Sequence, residues 1–170
     1  MLPVDGEKYS GDPGPIVEHR ALYAQEVVGR KAARAAGLVI GSPYHSALFE
    51  ACGTIPAVPS VASLRPLLAA RDFCGDADAY LDAANGSSLL MYCIGPANEE
   101  TLPMVELLKA HGAKCTFQNK RRQSALAYAK AWQLHDPNCQ ADAARFGPLY
   151  ERIIQLLLRD GCDAAERAAF

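Results

Sequence analysis

Between Ile16 and Ala36 the apolar residues Ile16, Leu22, Tyr23, Val27 and Val28 recur at three- and four-residue spacing, with Arg20, Arg30, Lys31 and Arg34 elsewhere on the wheel. That is the period of an amphipathic helix, and Gly37 ends it. Before it, Pro3, Gly6, Gly11, Pro13, Gly14 and Pro15 are too dense for a helix or a central strand, so residues 1–15 read as an extended arm. After Gly41 the pattern repeats on a longer scale. Ser46-Ala47-Leu48-Phe49-Glu50-Ala51 is matched by Ser88-Leu89-Leu90-Met91-Tyr92-Cys93 and by Ser124-Ala125-Leu126-Ala127-Tyr128-Ala129, at offsets of 42 and 36 residues. In each a hydroxyl opens a helix, a leucine follows and a small residue comes a turn later. A second phrase trails the first: Met104 to Ala113, and again Ile153 to Asp163, each an apolar helix stopped at Gly112 or Gly161, with a looser copy from Leu64 to Asp78.

Internal periods of roughly 20 to 50 residues signal stacked repeats, in which a unit that cannot bury its own apolar face buries it against its neighbours. The two phrases resemble the ankyrin repeat. The second copy carries the resemblance most closely, with Asn85-Gly86-Ser87-Ser88-Leu89-Leu90, then Val105-Glu106-Leu107-Leu108 and His111-Gly112-Ala113. In this register Phe49, Met91 and Ala127 stand where the family has histidine, and Ala47, Leu89 and Ala125 where it has proline. The resemblance implies an all-α fold, an ankyrin-repeat solenoid of stacked helical hairpins. About three repeats would cover residues 41–163, with insertions near 53–60 and 135–148 projecting as loops. Residues 16–37 would form an amino-terminal capping helix, with Leu22, Tyr23 and Val27 on the first repeat, and 164–170 a tail. The adjacent Leu156, Leu157 and Leu158 would span more than one helix face and need cover from that tail or from a partner.

Composition narrows the function. The 170 residues are 50% hydrophobic and 21% charged, which excludes disorder throughout. A net charge of -2 gives no general field for a phosphate backbone, so no nucleic-acid partner is expected. No apolar run approaches the roughly 18 residues of a membrane span. Cys52, Cys74, Cys93, Cys115, Cys139 and Cys162 are spread evenly with no close pair, and are expected as free thiols in a reducing, intracellular compartment. Residues 1–5 lack the basic and apolar stretches of a secretory leader, and Asp5, Glu7 and Asp12 argue against a transit peptide.

Candidate chemistry is sparse. There is no phosphate-binding glycine loop and no serine nucleophile elbow. His111 with Cys115, and His135 with Cys139, could together supply four tetrahedral zinc ligands. Gly112 and Pro137 interrupt the two pairs, however, so neither metal nor cofactor is expected. His45 and Cys52 form a base and nucleophile only if a third group orients the imidazole. The expectation is a non-catalytic protein-protein interaction module, an accessory or scaffolding subunit of a larger assembly. An inhibitor or immunity-type protein that occludes one target is the alternative, and a metal- or thiol-dependent enzyme the alternative from another class. In the repeat family the residue after the histidine position faces the concave groove, which points here to Glu50, Tyr92 and Tyr128, with Lys120, Arg121 and Arg122 as a basic rim on the neighbouring hairpin tip.

Overall fold

Four serines set helix starts. The hydroxyls of Ser42, Ser60, Ser88 and Ser124 accept the backbone N–H three residues on, from His45, Ser63, Met91 and Ala127, at 3.2, 3.3, 3.4 and 3.2 Å. Each satisfies one of the donors that a helix start leaves unpaired. The structure, a computed structural model, describes residues 31–32, 34–53 and 59–162. The arm at 1–15, the capping helix up to residue 30 with Leu22, Tyr23 and Val27, residues 54–58 of the first expected insertion, and the tail at 164–170 lie outside the described residues. Residues 34–37 are helical, the last turn of that expected helix.

The elements in chain order are α1 (Pro43–Ala51), α2 (Val61–Ala69), a 3-10 turn (Ala77–Ala79), α3 (Leu89–Ile94), α4 (Thr101–Ala110), α5 (Ala125–His135), α6 (Pro137–Ala141) and α7 (Ala143–Arg159). Among the described residues there is no β-strand, only one isolated bridge between Leu81 and Ser88. The chain is all-α. Helix α1 packs on α2 and α3, α3 on α4 and α5, α2 on α4, and α5 on α7. The core between these helices holds Leu48, Leu64, Leu89, Leu90, Met104, Leu108, Leu126, Ile153 and Leu157, all fully buried. Each such side chain contributes about 1.5–3 kcal/mol of burial.

Four expectations are corrected. Ser46 lies inside α1; the cap is Ser42, and Pro43 follows it at the first helical position, where a missing N–H costs nothing. The segment 135–148 is not a projecting loop. Asp136 accepts from Asn138 N to start α6, and Asp142 accepts from Arg145 N to start α7, so the stretch containing Pro137 and Pro148 is largely helical. Of the three adjacent leucines, Leu156 and Leu157 are buried in the core and Leu158 is half-buried against it, so they do not wait for a tail or partner.

The fourth correction concerns the thiols. Cys115 and Cys162 form a disulfide, while Cys52, Cys74, Cys93 and Cys139 are free. The two are 47 residues apart in sequence, yet their Cα atoms are 5.4 Å apart. Helices α4 and α7 both end on a left-handed glycine, Gly112 at φ 94° and Gly161 at φ 80°. In both the chain then folds back in the same way, Ala113 N onto Leu108 O and Cys162 N onto Leu157 O, at 3.0 and 3.2 Å. The two ends lie side by side, and Lys109 pairs with Asp160 across them.

Candidate functional site

The site is built from two stacked hairpin tips and the helices they start. In the first tip the Asp82 carboxylate accepts from Asn85 N at 2.7 Å and Ser87 N at 3.0 Å, and Gly86 takes φ 62° to close the turn. Burial alone would raise the Asp82 carboxyl, but these donors outweigh it and hold the group below its usual value. In the second tip the buried Asn119 does the same work. Its Oδ1 accepts from Arg121 N and Gln123 N, both at 3.0 Å. Its Nδ2 donates across to Ser87 Oγ at 3.2 Å, and Lys120 N donates to Asn85 O at 2.9 Å, so the tips are joined to each other. Ser87 Oγ also lies 3.4 Å from the Tyr128 hydroxyl.

The tyrosines expected at the groove are brought together. Tyr92 on α3 and Tyr128 on α5 are both half-buried. The Tyr92 ring meets Phe49 edge-on at 4.9 Å, and its hydroxyl is pushed up by burial and by Asp82 beside it. The two tyrosines line a pocket of about 290 Å³ together with Gly53, Met91, Gly95, Pro96 and Trp132. Trp132 was not singled out by sequence. The signal was there, since it sits one helical turn after Tyr128 and on the same face of α5.

Glu50 is exposed and does not line this pocket. Counting from the caps Ser42, Ser88 and Ser124, the residues in register with Tyr92 and Tyr128 include Ser46, whereas Glu50 aligns with Pro96 and Trp132. It therefore stands one turn further along, at the far end of the same stripe. Lys120, Arg121 and Arg122 are exposed at the second tip and take no part in the ion pairs Lys109–Asp160 and Arg145–Glu99.

Gly95 controls the pocket's shape, because a Cβ there would fall 2.2 Å from the Trp132 indole nitrogen. Gly95→Ala is expected to push the indole aside, shift the emission of the chain's single tryptophan and destabilise the fold by about 1–3 kcal/mol. An unchanged emission maximum would show that Trp132 does not rest on Gly95.

The catalytic alternatives do not assemble. Cys115 is consumed by the disulfide, the His111 ring lies 2.8 Å from Leu107 O and edge-on to Phe73, and His135 is exposed while Cys139 is buried. Among the described residues no group of three His, Cys, Asp or Glu could hold a metal ion. His45 Nε2 bonds Leu81 O at 2.9 Å, and Cys52 is wholly buried with its thiol pushed well up by that burial, the opposite of an activated nucleophile. Cys93 is likewise buried and its thiol raised. Among the described residues no helix is long and apolar enough to cross a membrane.

No protein-family model, no curated protein and no solved structure matches the chain.

Proposed function

We propose that this chain is a non-catalytic protein-protein interaction module of ankyrin type, acting as an accessory or scaffolding subunit of a larger assembly. One observation carries the reading. Three aromatic side chains, Tyr92, Tyr128 and Trp132, line one pocket on adjacent helices beside an exposed basic tip. Tyrosine and tryptophan are the residues that most often anchor interfaces, because a large ring is buried at little rotamer cost while the polar atom stays bonded. The corrected start of α1 supports the repeat resemblance. Ser42-Pro43-Tyr44-His45 now stands where the family has threonine-proline-leucine-histidine, and His45 bonds the Leu81 carbonyl ahead of the next helix pair.

Tyr92→Ala and Tyr128→Ala are each expected to weaken association with the partner by about 2 kcal/mol, the level of a hot-spot residue. Sizing the endogenous protein, then repeating with each variant, measures this. A chain that runs as a monomer from its native source, or variants that assemble normally while remaining folded by circular dichroism, would end the reading.

A further inference from the structure

We infer that the occupant of the aromatic pocket is an acidic segment of the partner, one that inserts a single large apolar side chain between Tyr92, Tyr128 and Trp132 and sets aspartate or glutamate against Lys120, Arg121 and Arg122. The inference rests on the interaction reading above and names the chemistry of what binds. At about 290 Å³ the pocket has room for one such side chain and not for a folded element. Apart from the three aromatic residues its lining is Gly53, Met91, Gly95 and Pro96, none of which has a side-chain nitrogen or oxygen, so an apolar anchor fits and a charged one is left unpaired.

At the tip end of the pocket the charge is mainly positive, and the turn that carries it is held in place. Asn119 fixes the backbone of Arg121 and Gln123 through its side chain and that of Arg122 through its carbonyl, at 3.0, 3.0 and 2.9 Å. The Lys120 stem lies over Gly86, with Cγ 3.3 Å from where a Cβ would stand. Three cations thus project from a rigid turn, and a partner that meets them does not have to order it first. Asp82, bound into the first tip by Asn85 and Ser87, keeps its negative charge beside Tyr92, one carboxylate against the three cations of the second tip. Glu50 lies at the other end of the groove, in register with the lining residues Pro96 and Trp132, so a bound segment meets cations at one end and this carboxylate at the other. Complementary charge of this kind fixes which way along the groove a segment lies and excludes basic competitors.

The test is a selection of phage-displayed random dodecapeptides on the full chain, followed by titration of the best fluorescein-labelled peptide. The expected consensus is one large apolar residue with aspartate or glutamate within about one turn's length of it. Arg121→Glu with Arg122→Glu should then weaken the peptide about tenfold and flatten its salt dependence. Tyr128→Ala should weaken it by about tenfold or more. Peptide binding should also shift Trp132 emission in the unsubstituted chain, a readout that stands even if Tyr128→Ala fails to fold. Peptides enriched in lysine or arginine, peptides indifferent to the arginine reversals, or displacement by oligothymidine would overturn the acidic assignment. If such peptides still lose binding with Tyr128→Ala, the groove remains an interaction site with another occupant. If no peptide is enriched, or enriched peptides ignore Tyr128→Ala and leave Trp132 emission unmoved, the acidic occupant and the interaction reading fall together.

Discussion

Tyr150→Phe is expected to destabilise the chain by about 3 kcal/mol, although it removes a single oxygen atom. Tyr150 and Asp136 are both fully buried. The Tyr150 hydroxyl donates to Asp136 Oδ2 and accepts from Ala97 N at 3.0 Å, so it joins α7 to the start of α6 and to the turn after α3. Phenylalanine keeps the ring and its packing but leaves Ala97 N and Asp136 Oδ2 without this bond. An unsatisfied buried group costs about 1–3 kcal/mol, which far exceeds the small gain from burying a less polar ring. For a chain of this size the melting temperature should fall by about 6–12 °C. Asp136→Ala should be similarly harmful, because Asp136 Oδ1 also accepts from Asn138 N at 2.9 Å and starts α6. The double variant should lose less than the two single losses combined, since both remove the same bond. Burial, with the Asp136 carboxylate beside it, pushes the Tyr150 hydroxyl up and away from neutral pH, so the deficit should be the same at pH 6 and pH 8. A melting temperature within about one degree of the parent would show that water or a rearrangement meets the needs of Ala97 and Asp136.

Much of the fold was legible because its determinants are local. Ser88 and Ser124 cap α3 and α5 where the repeated phrase puts a hydroxyl, and Gly112 and Gly161 stop α4 and α7 where the second phrase ends. The start of α1 reads one turn too late in the sequence because Ser42 and Ser46 both offer an oxygen. What decides between them is Pro43, which fits only at a helix start. The shift matters for the site. It moves Glu50 out of register with the tyrosines, brings Ser46 in, and makes His45 the residue that reaches the next hairpin. The helices between 135 and 148 were hidden by their prolines, which read as breakers until Asp136 and Asp142 are seen to supply caps. Trp132 was hidden for a different reason. Its place in the pocket depends on Gly95 of the preceding helix pair leaving room for the indole, which is a relation between distant residues that no spacing along one chain segment expresses.

The pairing of Cys115 with Cys162 is of that second kind, and it supports the largest expected effect. Even spacing along the chain argued for free thiols, but spacing says nothing about two helix ends that the stack places next to each other. The crosslink closes a loop of 47 residues, which restricts the unfolded chain by about 4 kcal/mol. It also ties the end of α7 to the end of α4. Beyond the shared carboxyl ends, the two helices flank an open groove of about 670 Å³ lined by Leu102, Glu106, Glu151, Arg152, Gln155 and Arg159. A further tie at that end is the Lys109–Asp160 pair, part-exposed and worth about 0–1 kcal/mol. Purified without reductant and unfolded, the chain should therefore titrate four of its six cysteines. Reductant should lower its melting temperature by about 8–16 °C. Cys115→Ser with Cys162→Ser should melt where the reduced parent does and should no longer respond to reductant. Six titrating thiols in the oxidised preparation, or a melting temperature indifferent to reductant, would leave α7 held by its buried face and its polar ties. In that case the bond between Tyr150 and Asp136, rather than the crosslink, is what keeps the last helix on the stack.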